Sequence, residues 1–382
     1  MLTIAVAGAL VVVTALHLAT CAAVAVRLRA ARAPVTATER PAVTLLRPVC
    51  GLENFIEETL RTSFYLAYPE YEIIFCSPSP DDPVIPLVRR LMAEHPAIEA
   101  RLLTGDDRFS PNPKLNNLAK GWLAARHDFI VMADSNIMLA PDYINRLLAR
   151  WHPDMGLVSA PAIGDAPDGF SGELECAFLN THQARWLYAA EILGQGYAQG
   201  KTMLMRRSDL DRAGGYEALA SEIAEDAAAR KAMLRLGKDV RLAFLDVPHP
   251  VGRRSFHEVW GRQVRWARLR RSAFPGHFMT EVLTGILPPL ILLGLLAAGP
   301  LHPAWIVPFV ILWYGAEAAL AAAARWRLSW TSPVAWLARD LLLPIIWIAG
   351  WTRGSYVWRG NTVDVATRRL VARENAGETR GP

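Results

Sequence analysis

Residues 129–136 read Phe-Ile-Val-Met-Ala-Asp-Ser-Asn, five apolar residues followed by a carboxylate, a hydroxyl and an amide. A short apolar run closed by turn-forming residues predicts a buried strand with Asp134 at its carboxyl end. A carboxylate there, with a second oxygen two residues on at Asn136, suits Mg²⁺ or Mn²⁺ held against a nucleotide diphosphate, because these hard cations keep waters and take few protein ligands. An aspartate after a strand is equally an ordinary turn former or helix cap, so its neighbours must decide.

On either side, Val43–Leu46, Glu72–Cys76, Arg101–Leu103 and Leu157–Ala160 are further strand-length runs. Helix-length segments such as Glu53–Phe64, Pro83–Ala93 and Lys114–Ala125 separate most of them. That alternation predicts a parallel α/β sheet, and in such sheets ligands bind beyond the carboxyl ends of the strands. The rule singles out Pro48–Glu53, Ser77–Asp82, Gly105–Asn117 and Asp134–Asn136. Within these, Asn112-Pro113-Lys114-Leu115-Asn116-Asn117 starts a helix at Pro113 or Lys114. Its lysine and amides, beside unpaired backbone N–H groups, suit phosphate or sugar hydroxyls, although capping alone explains the same residues. Glu225 and Asp226 open the helix in SEIAEDAAARKAML. The helix dipole favours acids there, and Asp226 is also placed to be a general base for an acceptor hydroxyl.

From Ser255 to Phe274 the chain predicts an amphipathic helix, with Phe256, Trp260 and Val264 at four-residue spacing and Arg262, Arg265 and Arg268 at three-residue spacing. Guanidinium forks suit a diphosphate leaving group, while a basic helix also suits anionic lipid headgroups. The helix pattern ECAFLNTHQARWLYAAEIL carries Phe178, Trp186 and Tyr188, which read either as a lipid entry or as core.

Composition points to a membrane. Hydrophobic residues make up 52% of the 382, and the formal charge of +5 comes with arginines beside apolar runs, a pattern that argues for a membrane surface and against a nucleic-acid partner. Cys21, Cys50, Cys76 and Cys176 show no metal or redox spacing, as expected of free thiols. Leu2–Val26 is long enough to span a bilayer and is followed by Arg27, Arg29 and Arg32, so it reads as a signal anchor with the body in the cytoplasm, in a bacterial inner membrane. Val282–Leu301 and Ala304–Ala324 read as two spans, the acid Glu317 facing protein or a polar cavity. Leu341–Trp351, about 11 residues with Pro344 inside, reads as re-entrant or interfacial, which leaves the C-terminus cytoplasmic with Arg353, Arg359, Arg368, Arg369 and Arg373. The resulting division is an anchor at 1–26, a linker at 27–41, a catalytic domain at 42–275 that includes the helix at 255–274, a membrane region at 276–353 and a tail at 354–382.

Taken in order, NPKLNN, DSN, GYAQGKTMLMRR, AEDAAARK and RQVRWARLR, together with LLRPVCGLENFIEETL, AGG at 213–215, WLARDLL and VWRG, resemble the ceramide glucosyltransferases of glycosyltransferase family 21. The resemblance runs nearly end to end. It implies an α/β, Rossmann-like GT-A fold of nucleotide-diphospho-sugar transferases with N- and C-terminal transmembrane helices, a UDP-glucose donor, a ceramide-like membrane lipid acceptor, and Mg²⁺ or Mn²⁺. It further implies that Asp134 binds metal and nucleotide, that Asp226 is the catalytic base, and that Arg262, Arg265 and Trp266 organise the diphosphate and acceptor side. The nucleotide-sugar side is then expected at Pro48, Glu53, Asp82, Lys114, Asn116, Asn117, Asp134 and Asn136. Two positions depart from the family pattern: Ser79 stands where an acid is usual, so that either Asp82 three residues on supplies the contact or backbone near Pro48 and Val49 holds the uracil, and Cys50 stands where lysine is frequent. The competing readings are a hopanoid or other lipid glycosyltransferase with a different UDP-sugar, a processive polysaccharide synthase, and a non-catalytic membrane scaffold. Few spans and an arginine at position 262 count against the synthase.

Overall fold

The computed structural model describes residues 1–31, 37 and 39–352, and the backbone of three strands at 355–358, 361–364 and 369–373. Arg353, Arg359 and Arg368, part of the linker and most of the tail lie outside the described residues. The strands are β1 Val43–Pro48, β2 Tyr71–Ser77, β3 Ala100–Thr104, β4 Phe129–Ala133, β5 Met155–Ser159, β6 Ala162–Asp168, β7 Thr202–Arg206, β8 Asp239–Leu242, β9 Val247–Arg253, β10 Ser355–Trp358, β11 Asn361–Asp364 and β12 Arg369–Arg373. The chain forms two compact units, one of 35–161, 196–247 and 351–382, the other of 1–34, 162–195 and 248–350. Residues 162–195 and 248–275 fall in the unit that holds the apolar helices.

The first unit is built on a seven-stranded sheet of order β3-β2-β1-β4-β7-β5-β8. The α/β class is as expected, but the sheet is mixed: β7 runs antiparallel to β4 and β5, the other pairs being parallel. The run TMLMR is a strand because Met203, Leu204 and Met205 are all fully buried, two of them in a core with Leu118, Trp122, Met132 and Met233. The register decides what meets at the sheet edge. Ala133 pairs with Thr202, so the next residue on β4, Asp134, lies beside Lys201, and the Asp134 N–H donates to the Lys201 carbonyl at 3.1 Å.

In the second unit, helices at Leu2–Ala30, Pro303–Ala324 and Ser332–Trp351 are long and apolar enough to cross a membrane. The span expected at 282–301 is instead a pair of helical segments, Pro275–Leu283 and Leu287–Ala297, bent by 44°. Leu341–Trp351 is likewise no separate short piece. It is the second half of a 20-residue helix that carries Pro344 in its interior, so the length argument against a span is lost. Phe178 and Tyr188 are core residues. In the basic helix, now Phe256–Ala273, Ser255 and Glu258 form a capping box. Its buried residues include Val259, Gln263, Val264 and Ala267, while Phe256 is exposed and stacks on Trp260, so the buried face is rotated from the Phe256–Trp260–Val264 stripe.

Glu317 faces protein, as expected, and its partner is Arg339. The guanidinium makes two 2.9 Å bonds to the Glu317 carboxylate, one of 2.8 Å to Asp340 and one of 2.8 Å to Thr181. His17 of the first helix accepts from Arg185 Nη1 at 2.7 Å through Nδ1, which leaves Nε2 to donate to the Trp313 carbonyl at 3.0 Å. Removing one partner of a buried pair strands the other charge. Arg339→Met is expected to destabilise the protein by about 3–5 kcal/mol, measured as thermal unfolding in detergent micelles; an unchanged midpoint would refute this role.

Candidate active site

The site is assembled where β4, β7 and two helix N-termini meet. Asn112 caps the helix Pro113–Ala124 by accepting from the N–H groups of Lys114 and Leu115, and Pro113 fits the first turn because it has no N–H to satisfy. The cap points Lys114 across the edge of the sheet. Its Nζ lies 2.7 Å from Asp134 Oδ1 and 2.8 Å from Glu225 Oε1, and it donates to the Gly200 carbonyl. Burial works against the ammonium charge, but Asp134 and Glu225 outweigh it and hold the lysine above its ordinary pKa.

Glu225 and Asp226 begin the helix Glu225–Arg235 as expected, and the structure gives them different work. Glu225 is buried, with Oε1 on Lys114 and Oε2 accepting from Asn112 Nδ2 at 2.6 Å. Asp226 accepts from the Gly200 N–H at 2.9 Å and from the Ala227 N–H at 2.7 Å. Burial, with the Glu225 carboxylate beside it, pushes the Asp226 carboxyl up to about 6, against the opposing pull of those two N–H groups and Lys114. A carboxyl poised near neutrality has the basicity general-base work requires.

Beside Asp134, the Asn136 amide accepts from Lys201 Nζ at 2.7 Å and donates to Glu53 at 3.3 Å, and Lys201 Nζ lies 3.8 Å from Asp134 Oδ2. The loop itself rests on Arg47. Fully buried, this arginine donates to the carbonyls of Thr59, Ser135 and Ile137, and burial lowers its pKa to about 10, so it stays charged at neutral pH. Lys201, Gly200 and Arg47 were not singled out from the sequence. A lysine directly before a buried MLM strand was the available signal for Lys201, and the antiparallel placement of β7 was needed to use it.

The remaining expected residues are held differently. Asn116 and Asn117 are buried; the first bonds the backbone and hydroxyl of Ser110, the second the Cys76 carbonyl and Lys120. Pro48 ends β1. Asp82 Oδ1 accepts from the N–H groups of Gly51 and Val84, tying the loop after β1 to the loop after β2, while the Ser79 hydroxyl accepts from the Asp81 N–H. In the other unit, Arg262 is 3.1 Å from the buried Glu175 carboxylate, Trp266 packs on Cys176, Leu179 and Val251, and Arg265 is half-buried on the same helix.

Among the described residues no three or more His, Cys, Asp or Glu side chains converge as a metal cage. Mg²⁺ or Mn²⁺ needs no such cage when substrate phosphates and water complete its shell, and Asp134, its side chain 24% exposed, offers the carboxylate for that mode.

The sheet and its strand-end carboxylates are those of a glycosyltransferase of the GT-A fold. The family model for glycosyl transferase family 21 matches residues 8–371, so the chain belongs to that family and is a glycosyltransferase. It is 26% identical over 340 residues to ceramide glucosyltransferase 3 of Caenorhabditis elegans, covering 85% of this chain and 73% of that one. Over 200 residues it is 41% identical to the ceramide glucosyltransferase of Komagataella phaffii, covering 45% of this chain and 38% of the relative. In fold it is similar to a mannosyltransferase from Pyrobaculum calidifontis solved with GDP-Man and Mn²⁺, at TM-score 0.51 and 19% identity over 90% of this chain and 97% of that one.

The sign of the Asp226 shift sets a pH dependence. Its carboxylate is ionised above about 6 and neutral below, so turnover that needs the ionised form should fall as pH drops through that value. A rate profile flat from about pH 5 to about pH 7 would contradict a role for Asp226 as general base.

Proposed function

We propose that this chain is an inverting glycosyltransferase that moves glucose from UDP-glucose to the primary hydroxyl of ceramide or a related membrane lipid. The observation that carries the reading is the pair of carboxylates at one sheet edge, Asp134 just after β4, whose N–H donates to the Lys201 carbonyl, and Asp226 at a helix start, which accepts from the Gly200 N–H of the same short segment. The likeness to ceramide glucosyltransferases supports the donor and acceptor. Membrane-length helices in the same chain suit a lipid acceptor.

In this reading Asp226 takes the proton from the acceptor hydroxyl as its oxygen forms a bond to the anomeric carbon. The bond from that carbon to the diphosphate oxygen breaks on the opposite face, and its electron pair leaves with UDP. Asp134 and the Asn136 amide would hold Mg²⁺ or Mn²⁺, which when bound neutralises charge on the departing diphosphate. Arg262, Arg265 and Trp266 serve the diphosphate and acceptor side, with Glu175 anchoring Arg262. Asp82 keeps the nucleotide loop in place through Gly51 and stands in for the acid missing at Ser79. The body lies in the cytoplasm.

Asp226→Asn keeps the side chain's size and removes the proton acceptor, so glucosyl transfer into liposomal ceramide should fall about 10²–10⁴-fold while UDP and metal affinity persist. Asp134→Asn should instead impair metal-dependent donor binding. Near wild-type transfer by Asp226→Asn would show that the base lies elsewhere; transfer only from another UDP-sugar, or only to another lipid, would replace the substrate assignment and keep the chemistry.

A further inference from the structure

Three oxygens converge on Lys114 Nζ: it donates to the Gly200 carbonyl and is ion-paired with Asp134 Oδ1 at 2.7 Å and Glu225 Oε1 at 2.8 Å. An ammonium so surrounded, on a side chain only 9% exposed, braces protein against protein. Glu225 is equally committed, bonding Lys114 with one oxygen and, with the other, the Asn112 amide that caps the lysine's own helix. Asn112 also donates to the Ile223 carbonyl at 3.0 Å, so the approach to the Glu225 helix is held from the same point.

Gly200 closes the arrangement. Its carbonyl accepts from Lys114 while its N–H donates to Asp226 Oδ2. A Cβ at this position would stand 2.7 Å from Glu225 Oε1, so a side chain here would push that carboxylate off its place beside Lys114.

We propose that Glu225, acting through Lys114, is a positioning residue: the carboxylate–ammonium–carboxylate chain Glu225–Lys114–Asp134 is a strut that sets Asp226 against the strand-end carboxylate during transfer. The inference rests on Asp226 being the base. With both its oxygens engaged, Glu225 braces and does not itself take the acceptor proton.

The test uses full-length protein in nanodiscs and whichever pair, among UDP- and GDP-hexoses with ceramide or diacylglycerol, the wild-type protein turns over fastest. Glu225→Gln cannot accept from both Lys114 and Asn112, so kcat should fall about 10–10²-fold with donor KM unchanged. Amide hydrogen exchange should quicken at 199–202 and 225–228 and stay unchanged in the membrane helices. Lys114→Met should behave similarly, and the double variant should be no slower than Lys114→Met alone, because the two residues act as one unit. Glu225→Asp, which keeps the charge and shortens the reach, should show the same split and substitutes for Glu225→Gln if that variant does not accumulate. Wild-type kcat in these variants, with or without faster exchange, overturns the proposal, as does a raised donor KM at unchanged kcat. Asp226→Asn is run in parallel: if it alone retains full turnover, the base assignment fails and the effect of Glu225 is still read.

Discussion

One ammonium group organises the sheet edge. Without Lys114, the carboxylates of Asp134 and Glu225 would remain largely buried with no shared cation, and loss of one partner from such a buried arrangement typically costs about 3–5 kcal/mol. The lysine is therefore bound into the fold, and its partners are the two carboxylates to which the proposed mechanism gives donor binding and positioning. Its position comes from local rules: an asparagine cap, a proline in the first turn and a helix that buries Leu115, Leu118 and Trp122. The Asp226 carboxyl, two contacts away through Gly200, sits in a neighbourhood dry enough to raise its proton affinity and ordered enough to aim it.

The membrane-helix unit obeys the same requirement in a different setting. Charges on apolar helices persist only when paired or hydrogen-bonded: Arg339 is paired with Glu317 and Asp340, while Arg185 donates to the neutral His17 ring. The His17 bonds to Arg185 and to the Trp313 carbonyl join the first helix to helices 168 and 296 residues away in sequence, so the N-terminal helix is an integral part of its unit and not only a tether.

Much of this was legible in the sequence. Asp134, the Asn112–Lys114 helix start and the Glu225–Asp226 pair were visible because strand ends and helix caps are local signals. The antiparallel β7 was not, since a five-residue strand buried on both faces has no alternation to reveal direction, and with it Gly200 and Lys201 stayed hidden. Ser332–Trp351 was read short because Arg339, Asp340 and Pro344 interrupt an apolar count, and only tertiary pairing shows the first two to be neutralised. The basic helix lies within a residue of its expected bounds at each end, but its buried face departs from the apolar stripe, because Gln263 and Ala267 are buried while aromatic Phe256 is not.

The central claim is a single displacement, with Asp226 as base, on a sugar donor held at Asp134. Its most direct test is the anomeric configuration of the glycolipid made by the purified protein from UDP-glucose, a donor with an α linkage, and ceramide in liposomes, read by proton NMR coupling at the anomeric carbon. The account predicts a β-glucoside as the initial product. An α-glucoside would contradict it, since retention requires a different course at the anomeric carbon and leaves Asp226 without the role given to it here.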